Sequence, residues 1–248
     1  MNTIYILWLR QLKRYLRSRS RIIGSIGQPL LFLVALGFGL GPIFKRAGDG
    51  NYIDFLAPGV IAQGILFTAI FTGIELIWDR QFGFLKETLV APVSRFQIML
   101  GRTIGGATIA TIQGVIIFFL TLLVGFRPYS LAMLPIALVI MFLTALFFTA
   151  LGTAIASTLD DMQGFQLIMN FLVLPLFFLS GSLFPLKGAP ALLTLIAKFD
   201  PLTYGVDALR SSLANVTQFG LVNDIAILGI LTAIILYIGS KLFSKIEI

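Results

Sequence analysis

From Ile22 to Phe44 the chain runs for 23 residues without one charged side chain. A helix rises about 1.5 Å per residue, so this run reaches roughly 35 Å, enough to cross a hydrocarbon layer about 30 Å thick. Comparable charge-poor runs cover residues 54–78, 103–126, 131–159, 165–184 and 224–243. Inside a bilayer every backbone donor and acceptor needs an internal partner, and a helix supplies those partners within one segment. The expected fold is therefore an all-α integral membrane protein with six transmembrane helices, forming one domain over residues 1–248.

Composition narrows the chemistry. Charged residues make up 12% of the chain, about half the share of an ordinary soluble domain. Cysteine and histidine are both absent, which removes disulfides, thiol chemistry and the usual neutral-pH acid or base. No metal-binding or catalytic residue set is expected. The sequence lacks a GxxxxGK[ST] phosphate loop, an HExxH pair and a Ser/His/Asp set, so this chain does not hydrolyse ATP by that route. The formal net charge of +7 bears on membrane orientation, and no nucleic-acid partner is expected.

Residues 1–21 alternate apolar positions (Ile4, Trp8, Leu12, Tyr15, Leu16) with Arg10, Lys13, Arg14 and Arg17. That spacing predicts a basic amphipathic helix lying in the membrane interface and touching anionic lipid. Twelve of the 18 Lys and Arg residues fall in 1–21, 79–102 and 241–248, so the positive-inside rule places both termini and the 79–102 segment in the cytoplasm. On the expected outer side, residues 185–213 are too broken by proline and charge to cross once. They fit two short helices, 191–199 and 203–213, split by Asp200-Pro201 as a re-entrant hairpin packed on protein.

The charged insert at 75–102 interrupts the apolar pattern. Its spacing predicts a surface helix over 79–90, with Phe82, Leu85 and Leu89 on one face and Arg80, Lys86 and Glu87 around the other. Pro92 ends it, because proline disfavours helix at the residue before it. By pattern alone this segment is either a solvated interfacial loop or a docking surface for a soluble partner. Small residues at Gly101, Gly105, Gly106, Ala107 and Ala110 predict a tight helix contact along the third span.

Two blocks of this sequence resemble the type-2 ABC exporter permeases, the transmembrane subunits of drug, lipo-oligosaccharide and polysaccharide exporters. The first is DRQFGFLKETLVAPVSRFQIMLGR, through Asp79-Arg80, Gly83, Leu85, Leu89, Val90, Pro92, Val93, Ser94, Arg95 and Gly101. The second is NFLVLPLFFLSGSLFPL at 170–186, followed by Asp200-Pro201-Leu202-Thr203-Tyr204 and Val206-Asp207-Ala208-Leu209-Arg210. Gly83-Phe84-Leu85-Lys86 stands where many members carry Gly-Thr-Leu-Glu, a variant similar to the drug and lipo-oligosaccharide branch.

The resemblance implies an ATP-driven exporter in the cytoplasmic membrane of a bacterium or archaeon. Two copies of the chain would pair with two ABC ATPase subunits, which hold ATP and Mg while this chain binds no cofactor. It assigns ATPase coupling to Asp79, Arg80, Gly83, Leu85, Lys86, Glu87, Leu89, Pro92 and Arg95. The apolar face of the coupling helix would seat in the ATPase, with Arg80, Glu87 and Arg95 pairing at the rim. The translocation path and gate fall to Asn170, Phe171, Pro175, Phe177, Phe178, Ser180, Gly181 and Pro185. With 23 phenylalanines against two tryptophans, the expected cargo is amphipathic or lipid-linked. The alternative is a stand-alone channel or ion-coupled carrier. Carriers typically place acids near the midplane, whereas the one acid deep in a predicted span, Glu75, sits about a turn from its inner end.

Overall fold

The computed structural model describes residues 3–46 and 51–246. Most of the polar loop expected at 45–51 lies outside the described residues, as do the two residues at each terminus. Eleven α-helices are described, and no strand occurs among these residues: α1 (Thr3–Arg17), α2 (Arg19–Arg46), α3 (Tyr52–Phe71), α4 (Ile74–Gln81), α5 (Phe84–Val90), α6 (Arg95–Val124), α7 (Leu134–Ala156), α8 (Met162–Leu179), α9 (Ala191–Phe199), α10 (Pro201–Ala214) and α11 (Leu221–Ser244). Six segments are long and apolar enough to cross a membrane: Ile22–Phe44, Tyr52–Gln81, Arg95–Val124, Leu131–Ala156, Met162–Leu179 and Leu221–Ser244. The protein is an all-helical membrane protein with six candidate spans.

The second span is the axle of the bundle. Helix α3 packs against α2, α6, α7 and α10, and Leu56, Val60, Ile61, Ile65, Leu66 and Ile70 are sealed from solvent. Close approach is bought by missing side chains. A Cβ on Gly73 would meet the Gly152 carbonyl oxygen at 2.5 Å, and one on Gly152 would meet the Ile70 carbonyl at the same distance. The α3–α4 junction and α7 therefore touch backbone to backbone. Here the ladder tightens, with Gly73 N–H donating to Ile70 O at 3.0 Å, before α4 resumes.

Helix α1 lies along α6. Its buried residues Leu7, Gln11 and Tyr15 recur every fourth position, one face of an α-helix. Gly101 and Gly105 form the seat: a Cβ on Gly101 would meet Ile4 Cα at 3.1 Å, and Gly105 faces the Gln11 side chain. The tight contact expected of the small residues on span three is thus shared. Gly106 faces Thr149 and Thr72 instead, in the direction of α7 and the α3–α4 junction.

Several boundaries differ from expectation for local reasons. Span three begins at Arg95 rather than 103, because Ser94 caps it by accepting the Gln97 N–H at 3.2 Å; Ser94 and Gln97 have capping-box spacing. Span five begins at Met162 under an Asp161 cap and ends at Leu179, short of 184, because Gly181 turns the chain at φ 73°. The short helix expected at 79–90 is divided. Residues 79–81 finish α4, Gly83 adopts φ 81°, and a separate helix runs only over Phe84–Val90. Glycine takes that left-handed conformation without the Cβ clash. As expected, the chain before Pro92 is extended at Ala91. Helix α9 occupies the expected 191–199, and α10 begins on Asp200, whose Oδ1 accepts the Leu202 N–H at 2.8 Å.

Candidate functional site

The last turn of α4 is held from two sides. On one side the Asp79 carboxylate, 6% exposed, accepts from Arg10 Nη2 at 2.9 Å and Nη1 at 3.3 Å, and from Arg102 Nη2. Arg14 Nη1 lies 3.9 Å from Asp79 Oδ1 and 4.0 Å from Glu75 Oε2. Arg102 is 4% exposed. Two buried acids on α4 thus meet two arginines from α1 and one from α6. The Arg10 guanidinium also lies 3.5 Å over the Phe84 ring, which ties the first residue of α5 to the same cluster by a cation–π contact.

On the other side, Arg80 Nη1 donates to the Leu159 carbonyl at 3.1 Å and pairs with the Asp160 carboxylate. Gln81 Nε2 donates to the Asp160 carbonyl at 3.2 Å, and Trp78 Nε1 contacts the Met162 sulfur. These four contacts fasten α4 to the turn that joins α7 to α8. The contacts thus join α4 to α1 and α6 through Asp79, and to the turn before α8 through Arg80 and Gln81.

Four of the residues assigned to coupling are engaged within the chain. Asp79 is a buried internal tie to Arg10 and Arg102. Arg80 is engaged within the chain and does not stand free at a docking rim. Leu85 is 2% exposed and Leu89 packs on the chain's own core, so of the apolar face expected to seat in a partner only Phe82 stays outward. The outward surface consists of Phe82 (80% exposed) and Val90 (76% exposed), with Lys86, Glu87 and Pro92 exposed between and after them. Arg95 is half-buried, and its Nη1 has no hydrogen-bond partner among the described residues. Gly83 supplies the turn.

The pathway assignments divide in the same manner. Asn170, Phe171, Pro175, Phe178 and Pro185 are exposed on α8 and the loop after it. Phe177 is 1% exposed, edge-on to Phe32 with ring centroids 5.6 Å apart, so it joins α8 to α2 as core. Ser180 is buried, donates to Phe177 O at 2.8 Å and lies 2.5 Å from Ser182 Oγ. Gly181 O accepts from Arg210 Nη2 at 3.1 Å. Ser180 and Gly181 build the turn after α8, and all three residues are buried within the single chain.

Sequence reasoning missed the arginines that complete the cluster. The signal was present: Glu75 and Asp79 are four apart on one helix, and Arg10 and Arg14 are four apart on another. Two stripes of opposite charge at helical spacing, each next to an apolar run, are complementary in register.

A helical, multi-pass membrane protein with an ion-paired joint between its second and third spans is the class these features define. The comparisons narrow it. The family model described as ABC-2 type transporter matches residues 2–214, and the chain belongs to that family. It is 28% identical over 208 residues to nodulation protein J of Rhizobium leguminosarum bv. trifolii, covering 83% of this chain and 76% of that one. It is 34% identical over 200 residues to the transport permease ycf38 of Pyropia yezoensis, covering 78% and 68%. The ycf38 permease of Porphyra purpurea is 32% identical over 205 residues, covering 80% and 69%.

Proposed function

We propose that this chain is the transmembrane subunit of an ATP-driven exporter, with α5 and the turn before it receiving the push of a separate ABC ATPase. The observation that carries this reading is the contrast at α5. Its outward side is bare, with Phe82 and Val90 exposed beside Lys86 and Glu87, while the segment behind it is pinned by buried ion pairs. Large apolar side chains flanked by charge, held on a fixed base, suit an interface with a soluble partner. ATP and Mg belong to that partner. Movement of α5 would bias the bundle between two states only through contacts that differ between them.

The same reading places α5 and both termini in the cytoplasm, in the cytoplasmic membrane of a bacterium or archaeon. A second copy of the chain would complete the path, and two ATPase subunits would serve the pair. Helices α2 and α8 leave Leu31, Phe38, Leu167, Phe171 and Phe178 exposed, a surface for lipid, for the second copy and for an amphipathic or lipid-linked cargo between them. The test is reconstitution with the cognate ATPase in lipid. Phe82→Glu with Val90→Glu should abolish stimulation of ATP hydrolysis by the permease while the chain still inserts and purifies. Full stimulation by that double variant removes α5 from the contact.

A further inference from the structure

At the end of the bundle opposite α5, a cavity of about 550 Å³ opens between the last turn of α2, the start of α3, the 185–187 loop and the end of α10. Its size lies inside the range of about 300–1,000 Å³ typical of small-ligand sites. Its walls carry both signs of charge: Asp54 and Asp207 against Lys187 and Arg210, beside apolar Phe44 and Leu186. Arg210 is 8% exposed. It donates through Nη2 to Gly181 O at 3.1 Å and Phe55 O at 3.4 Å, and lies 4.0 Å over the Phe55 ring. Its Nε–H has no partner among the described residues, and a buried donor left unsatisfied is costly. Lys187 stands exposed at the rim and pairs with no carboxylate among the described residues.

The depth of this cavity is fixed by its neighbours. Phe44 ends the first span and Asp54 lies in the first turn of the second. The second span has 30 residues, roughly 45 Å of helix, against a hydrocarbon core of about 30 Å. Its first turn therefore reaches the depth of lipid headgroups. A simple anion there would face two carboxylates, and a simple cation would face Arg210 and Lys187. Asp207 is already saturated, accepting from Thr217 Oγ1 at 3.1 Å, Gln218 N at 2.9 Å and Phe219 N at 2.8 Å. Asp54 is half-buried at the cavity wall. We propose that this cavity binds an aminoalkyl phosphate zwitterion, with its ammonium on Asp54, its phosphate oxygens on Lys187 and beside the Arg210 guanidinium, and its apolar continuation against Phe44 and Leu186. The proposal stands whether or not the exporter reading holds, because it involves no ATPase.

The experiment uses the full chain in nanodiscs, with retained lipid counted by native mass spectrometry. The nanodiscs contain phosphatidylethanolamine mixed with phosphatidylcholine or with phosphatidylglycerol. Phosphatidylethanolamine should be retained about tenfold over either competitor, the factor expected of one N⁺–H···O⁻ pair, since a quaternary amine has no N–H to donate and a glycerol hydroxyl carries no charge. Asp54→Asn should remove the preference over phosphatidylcholine. Lys187→Met, at an exposed rim position that does not test folding, should weaken retention of phosphatidylethanolamine severalfold. Soluble phosphoethanolamine added to phosphatidylcholine discs separates the sources. Binding of the soluble compound supports a site for the free zwitterion, and binding only of the lipid supports a headgroup site. Equal retention of all three lipids with no binding of phosphoethanolamine, or an unchanged preference in both variants, overturns the proposal.

Discussion

Removing the Asp79 carboxylate tests the ion-paired joint most directly. In Asp79→Ala, Arg102 at 4% exposure and the partly exposed Arg10 lose their shared acceptor, leaving Glu75 to face three arginines. Breaking a buried pair by deleting one partner costs about 3–5 kcal/mol, because the remaining charge stays desolvated. Arg10 has 31% of its side-chain surface exposed and relaxes toward solvent, so its share is the screened one of about 1 kcal/mol or less. Most of the loss therefore belongs to Arg102. Removing both charges in Asp79→Leu with Arg102→Leu should recover most of it, since an apolar replacement of a buried pair is often neutral or stabilising by about 1–4 kcal/mol. The assay is equilibrium unfolding in mixed micelles, with Asp79→Leu and Arg102→Leu, alone and together, closing a double-mutant cycle that isolates the pairwise contribution. The single variant should lose about 3 kcal/mol or more, and the double should lie close to the parent. A single variant within about 1 kcal/mol of the parent, as expected only of a surface pair, would falsify the buried-joint account, as would a double variant no better than the single.

Four further outcomes follow from the geometry. Phe84→Leu keeps an apolar residue at the start of α5 but removes the ring beneath Arg10, and should cost about 0.5–2 kcal/mol in the same unfolding assay. Gly152→Ala forces a Cβ against the Ile70 carbonyl and should lower stability by about 1–3 kcal/mol, read as a lower midpoint, whereas Gly39→Ala, with nothing within 4 Å, should not. Gly83→Ala should cost about 1–2 kcal/mol at φ 81° while Gly83→Asn is tolerated better, checked by unfolding and by proteolysis between α4 and α5. Phe177→Ala should destabilise by about 3–5 kcal/mol as a core truncation, whereas Phe171→Ala at 84% exposure should leave the midpoint unchanged and alter self-association or cargo transport.

The spans were legible because their signal is collective: twenty or so apolar residues between charged turns admit few alternatives, and the first span matches its expected limits, Ile22–Phe44. Boundaries were legible where one residue dictates the backbone, as Pro92 does at the end of α5, whereas α6 begins at Arg95 instead of 103 and α10 at Pro201 instead of 203. Ser94 gave an equally local signal through Gln97, but the charges around Arg95 and Arg102 argue for a loop when read as composition alone. The site was half legible. Periodicity identifies an amphipathic segment, but it does not say which face the rest of the chain will cover. Leu85 looks outward or inward with equal right until α4 and the core are in place. Asp79 and Arg80 are adjacent and both charged, yet one is buried among arginines and the other is tied to the 159–160 turn. That division depends on helix packing between residues 23 to 80 positions apart, which no local pattern contains.

The bare backbone crossing of Gly73 on Gly152 has a mechanical consequence. With no side chain interposed, the two segments cannot slide along each other without driving carbonyl oxygens together, whereas rotation about the crossing disturbs few atoms. The contact therefore resists translation more than rotation. On one side of it α4 leads to Asp79 and Arg80, and on the other lies the buried length of α3.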